Sequence, residues 1–197
     1  MNSKKIVRMA VTALLIAMVI VLQLLGGLIP PVGGFSLSFV LIPIVIGAAI
    51  YGPGTGAILG GAFGVIVVIN SITGLDGGGA MVFQAYPVLC VLVVMAKGIL
   101  AGAASGCVYQ LLKDKSAYIA MLCAAIVCPV VNTGVFLICM ALFFADVLSA
   151  WASLSGSPVL AYVLTGLVLA NFVPELAINV VFSPAGHYIV KTVKKKL

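Results

Sequence analysis

Charge is what this sequence has least of. Only 7% of its 197 residues are Asp, Glu, Lys or Arg, against about a quarter in an ordinary soluble domain, which excludes a soluble globular protein. Histidine occurs once, at His187, so no metalloprotease-type pair of histidines is available. The four acids, Asp76, Asp114, Asp146 and Glu175, are isolated and put no two carboxylates on one helical face. Five cysteines (Cys90, Cys107, Cys123, Cys128 and Cys139) lie inside apolar runs without a CxxC pair or metal-ligand spacing, so neither disulfides nor a zinc site are expected. The glycine-rich stretch at residues 52–61 lacks the Lys-Ser/Thr of a nucleotide-binding loop. With acids, bases, metal ligands and cofactor motifs all missing, an enzyme is a distant reading. A binding or permeation device fits better, one whose energy comes from a partner or an ion gradient.

Apolar residues fill the space that charge leaves, at 64% of the chain. Cut at turn residues and charges, the runs give six candidate spans at roughly residues 6–25, 35–51, 55–72, 81–112, 118–144 and 158–182, set against the ~20 residues that a helix needs to cross a bilayer. The first run is too long for the apolar core of a signal peptide, and no convincing cleavage site follows it. Basic residues then set the orientation. Lys4, Lys5 and Arg8 open the chain, Lys113 and Lys115 separate the fourth and fifth spans, and Lys191, Lys194, Lys195 and Lys196 close it. The loops at residues 26–34, 73–80 and 145–157 contain no Lys or Arg. The expectation is a single-domain, all-α membrane protein over residues 1–197, with six transmembrane helices and both termini cytoplasmic. The net charge of +6 is thereby explained by topology in a lipid bilayer, and nucleic acid need not be invoked.

Gly52-Pro53-Gly54 predicts a tight turn that folds the second and third spans into a helical hairpin. Gly52, Gly56, Gly60 and Gly64, and then Gly98, Gly102 and Gly106, recur every four positions. Such stripes let helix backbones approach closely in lipid, so helix packing is the expected use.

Polar residues inside apolar spans are costly and carry the remaining information. Lys97 is the one basic residue that topology leaves unexplained. Asn171, Glu175 and Asn179 are spaced by four on one helical face, next to Pro174, while Pro129 precedes Asn132 and Thr133. At about 1.5 Å per residue, Lys97, Asn132 and Glu175 come out at similar depths in mid-membrane, so they can share a site. Two readings stay open. Lys97 and Glu175 form a buried ion pair that locks two helices together, or they touch a ligand, and the same choice applies to Asn132, Thr133 and Asn171. Nearer the outer face, Asn70, Gln84, Tyr86 and Trp151 can line a mouth, with tyrosine and tryptophan equally suited to be interfacial anchors. The small-residue-rich loop at 145–157 suits a lid.

With these features in place, the chain resembles the substrate-binding S component of energy-coupling factor (ECF) vitamin transporters. The likeness rests on the basic N-terminus, Ala13-Leu-Leu-Ile-Ala17 in the first span, and three segments: VLIPIVIGAAIYGPGTGAILGG from Val40, KGILAGAASGCVY from Lys97 and PVVNTGVF from Pro129. It covers nearly the whole chain, and the first segment looks most like the pantothenate-type group. The resemblance implies a multi-pass protein of a prokaryotic plasma membrane that captures a small water-soluble vitamin from outside. A separate transmembrane coupling subunit and two ATPase subunits would power its delivery inward, and the chain would have no cofactor or metal of its own. It further implies a coupling-subunit docking surface at Ala13 and Ala17. The implied pocket draws on residues 29–35, Gln84, Tyr86, Asn132, Thr133 and the loop at 145–157.

Aromatic residues near that pocket are few (Phe35, Phe83, Tyr86, Trp151), whereas Asn70, Gln84, Asn132 and Thr133 offer hydrogen bonds to hydroxyl and amide groups. A flat heterocycle is usually gripped by stacking, so composition leans toward pantothenate, as the resemblance does. The only arginine is Arg8, which leaves Lys97, side-chain amides or backbone N–H groups to hold a carboxylate. The alternative from another class is a stand-alone secondary transporter or channel that couples ions through Lys97 and Glu175. The absence of detectable inverted repeats speaks against it.

Overall fold

The computed structural model describes residues 3–27 and 39–196, all helical or in short connections. Residues 29–35, assigned above to the pocket, lie outside the described residues. Helix α1 (Ser3–Gly27) turns Leu15, Val19 and Gln23, four apart, toward the bundle and leaves Met9, Leu14 and Val21 exposed. Helix α2 (Leu41–Tyr51) is apolar on every side and almost wholly buried, as such a helix must be. Its 11 residues span only about 16 Å, roughly half the hydrocarbon core of a bilayer. Gly52, at φ +93°, turns the chain straight into α3 (Pro53–Thr73), whose first residue is a proline that has no N–H to leave unpaired. Gly74, at φ +79°, closes α3 in the left-handed conformation.

Next come α4 (Gly77–Ala85), α5 (Pro87–Leu112), α6 (Ala117–Phe143) and α7 (Ala145–Leu154). A short α8 (Val159–Tyr162) runs through a π-helical stretch, Val163–Phe172, into α9 (Val173–Lys196). Five of these helical segments are long and apolar enough to cross a membrane, and α2 is the shorter apolar helix beside them.

Two features differ from the sequence expectation. The apolar run at 81–112 is not one helix but breaks at Tyr86, because Pro87 cannot continue α4 and instead opens α5. The segment expected to be a loop at 145–157 is mostly helix, α7, which buries Val147, Leu148, Trp151 and Ala152 along one side. The stretch before Pro174 is unwound into the wider π form, where the N–H of Val173 donates to Val168 five residues back. A π turn of this kind is a recognised way to accommodate a break in the α-helical hydrogen-bond ladder.

The glycine stripes join α3 to α5 in antiparallel fashion. A Cβ on Gly56 would strike the carbonyl of Gly102, and one on Gly60 the carbonyl of Gly98. Only hydrogen fits between backbones at such range, which is how small residues bring helices together without a hydrophobic drive. At one end of the bundle lie the basic residues. Arg8 donates to the Thr55 hydroxyl (3.2 Å) and sits over the Tyr51 ring, while the Lys194 ammonium lies 4.7 Å from the centre of the Tyr109 ring. This end therefore gathers the start of α1, the α2–α3 turn, the end of α5 and the end of α9.

Candidate functional site

The halves of the helices away from the basic end border a hollow of about 870 Å³, a volume that includes the open space at its mouth. Helix α1 supplies Gln23; α3 supplies Phe63, Val67 and Ser71; Asp76 stands at the α3–α4 connection. Lys97 comes from α5, Asn132, Thr133 and Phe136 from α6, Asn171 from the π-helical stretch and Glu175 from the first turn of α9.

Lys97 is held between two rings, its ammonium 5.0 Å from the centre of Phe136 and 5.8 Å from that of Phe63. Such placement offsets part of the cost of burying a cation. It also feels the negative charges of Glu175 and Asp76. Glu175 is 3% exposed. Asp76 lies in the connection beyond the end of α3, where burial pushes its carboxyl above the usual carboxylate range. Lys97 and the backbone N–H groups of Gly79 and Gly78 oppose that shift. The connection is ordered by its own backbone: the N–H of Asp76 donates to Asn70 (3.2 Å), and Asp76 accepts from Ala80 (2.8 Å).

Of the residues singled out in the sequence, Lys97, Asn132, Thr133, Asn171 and Glu175 line this one cavity. Asn179, on the same face by spacing, does not. Its side chain donates to the Glu175 carbonyl (2.8 Å) and lines a separate small pocket with Ser183. Asn70 is buried behind the wall, and its carbonyl accepts from Asp76 and Thr73. Gln84 is exposed on α4. Tyr86 and Trp151 tie α4 to α7 instead of lining the cavity. The Tyr86 hydroxyl donates to Asp146 Oδ2 (2.9 Å) and its ring meets Phe144 edge-on. The Trp151 indole N–H points at Met81 Sδ (3.1 Å). Phe144 itself lines the cavity, so these two links pin the short helices beside its wall. Ala13 and Ala17 are exposed on α1.

Gln23, Asp76, Ser71 and the ring pair Phe63 and Phe136 are cavity residues that the sequence reading did not single out. Gln23 was findable: it is a polar residue inside an apolar span, the same signal that marked Asn132. Asp76 looked like an ordinary outer-loop charge, and nothing in the sequence places it over a cavity.

Comparison with known proteins gives one family match. The profile described as "ECF transporter, substrate-specific component" matches residues 7–185. A search of curated proteins finds no match.

Proposed function

The chain belongs to the family of ECF transporter substrate-specific components, and from that premise we propose that it captures a small water-soluble vitamin in the cavity between α1, α3, α5, α6 and α9. A transmembrane coupling subunit and two ATPase subunits then deliver the vitamin inward. In this reading both termini and the basic end face the cytoplasm of a prokaryotic cell, α2 is a sixth membrane segment whose 11 helical residues reach only about halfway across, and the cavity opens outward.

The observation that carries the reading is the convergence of Lys97, Asn132, Thr133, Asn171 and Glu175 on one cavity at the end remote from the basic residues. Polar and charged groups are expensive there, and a ligand that satisfies them accounts for their retention. Pantothenate is the favoured vitamin. Its carboxylate suits the Lys97 ammonium, and its hydroxyls and amide suit Asn132, Thr133 and Asn171. The rings of Phe63, Phe136 and Phe144, which the sequence did not place in this wall, can also stack on a flat vitamin, so the preference rests on the polar groups alone. Ala13 and Ala17, exposed on α1, are the surface on which the coupling subunit docks.

Calorimetric titration of the purified chain with pantothenate, riboflavin, thiamin, folate and biotin tests the substrate. Tight saturable binding of pantothenate is expected. Binding of an aromatic vitamin alone overturns pantothenate and leaves vitamin capture standing, whereas binding of none overturns capture itself. The competing reading, a stand-alone ion-coupled carrier, draws on the same buried charges of Lys97 and Glu175.

A further inference from the structure

We infer that the cavity is built to receive hydrogen-bond donors, and that Gln23, Asp76 and Asn132 are the residues that select for them. This rests on vitamin capture as proposed above and adds what the ligand must present.

Three buried oxygens, Gln23 Oε1, Asp76 Oδ1 and Asn132 Oδ1, have no hydrogen-bond partner among the described residues, and all three side chains line the same cavity. They come from α1, the α3–α4 connection and α6, so no single local distortion explains them. Gln23 is 6% exposed and Asn132 5%. Other buried polar side chains find partners: Ser71, in the same cavity wall, donates to Val67 (2.9 Å), Ser105 to Gly102 (3.0 Å) and Asn179 to Glu175 (2.8 Å), and Thr55 accepts from Arg8 (3.2 Å). Three other unpaired buried atoms exist among the described residues, but Tyr51 Oη lies at the basic end, Asn179 Oδ1 at the separate small pocket and His187 Nδ1 beside Tyr118, so none joins the group.

A buried acceptor without a donor is a net loss to folding, and replacing it with an apolar group of similar shape removes that loss. Three such acceptors around one cavity are a cost to the empty protein that a ligand carrying O–H or N–H groups offsets on binding. All three atoms are oxygens, and an amide oxygen or an ionised carboxylate oxygen accepts, so the complement they call for is a donor. The donor pole of the cavity is separate: the Lys97 ammonium between Phe63 and Phe136. The ligand that fits is therefore two-ended. It places an acceptor, such as a carboxylate or carbonyl, at Lys97, and hydroxyl, amide N–H or amino groups at Gln23, Asp76 and Asn132.

The test compares stability and affinity in the same variants of the full chain, purified in detergent. Gln23→Met and Asn132→Leu remove the acceptors at nearly constant volume, and Asp76→Asn removes the charge but keeps an oxygen. The thermal unfolding midpoint without added vitamin should stay the same or rise in Gln23→Met and Asn132→Leu. In these two variants affinity for whichever of pantothenate, riboflavin or thiamin the wild type binds should fall about tenfold or more, the loss of one hydrogen bond to a buried group. Asp76→Asn should weaken an amine-bearing ligand (thiamin) strongly and a hydroxyl-bearing one (pantothenate, riboflavin) mildly, which separates the two kinds of donor. In the wild type, a deoxy analogue of pantothenate, or lumiflavin in place of riboflavin, should bind more weakly than its parent, and in the matching variant that gap should close. A lower midpoint with unchanged affinity in Gln23→Met and Asn132→Leu makes the oxygens structural. That result overturns the inference while leaving vitamin capture intact. Failure of the wild type to bind any of the vitamins overturns both.

Discussion

Gly106→Ala should destabilise the bundle, whereas Gly134→Ala, the same chemical change, should not. A Cβ at residue 106 would stand 2.6 Å from Pro53 Cα, 2.9 Å from Pro53 N and 3.2 Å from the Gly52 carbonyl carbon. Carbon atoms rest about 3.5–4.0 Å apart, so α5 must retreat from the α2–α3 turn by roughly 1 Å. The obstacles are backbone atoms of a turn whose φ of +93° at Gly52 is already special, so no side-chain rotation relieves them. Overpacking of this kind costs about 1–3 kcal/mol, and the better helix propensity of alanine returns up to ~1 kcal/mol. With the full propensity gain the net loss is ~0–2 kcal/mol, a fall of up to about 8 °C in the unfolding midpoint for a chain of this size. At Gly134, in α6, an added Cβ meets nothing within 4 Å, which leaves only the propensity gain of up to ~1 kcal/mol. Thermal unfolding of both variants in one detergent decides the matter. Equal shifts, or a more stable Gly106→Ala, would refute the close α3–α5 approach.

Lys97→Met and Glu175→Gln each remove one partner of a buried charge interaction and should each cost about 3–5 kcal/mol, with the double substitution recovering much of it. Stable single variants that lose only ligand affinity would instead assign both charges to the ligand. Ala13→Trp or Ala17→Trp should abolish vitamin uptake in cells while calorimetry on the isolated chain shows binding intact, and normal uptake by both removes α1 as the docking surface. The Tyr86 hydroxyl holds the Asp146 carboxyl below the usual carboxylate range. The link therefore contributes fully above the ordinary aspartate value of about 4 and is lost as pH falls through the depressed one. The midpoint difference between wild type and Tyr86→Phe should be constant from neutral pH down to that region and close below it. A difference that persists in acid would show that the bond does not depend on the ionised carboxylate.

Long apolar runs and a four-residue glycine period made most of the helices, and the packing of α3 on α5, legible in the sequence, because both follow from how helices behave in lipid. Depth counted from the helix ends was enough to bring Lys97, Asn132 and Glu175 to one site. Hydropathy could not show the break at Tyr86, since Pro87 interrupts the helix without interrupting the apolar run. Nor could it separate α7 from a loop, because Ser149, Ser153 and Ser155 satisfy their hydroxyls on backbone carbonyls three or four residues back and dilute the apolar pattern. Gln23 and Asp76 depend on which face of α1 meets the bundle and on how the α3–α4 connection folds back. Those are tertiary facts; Asp76 has no local signature, whereas Gln23 carries one, as a polar residue inside an apolar span.

In the function proposed above, this chain captures a vitamin but does not transport it alone. Uptake into sealed vesicles tests this most directly, with the chain reconstituted alone and then together with coupling and ATPase subunits, using radiolabelled pantothenate or whichever vitamin it binds. Saturable binding but no accumulation is expected of the chain alone under any imposed proton or sodium gradient, and concentrative, ATP-dependent uptake once the partners are present. Gradient-driven accumulation by the chain alone, abolished by Lys97→Met or Glu175→Gln, would contradict it and establish a stand-alone carrier.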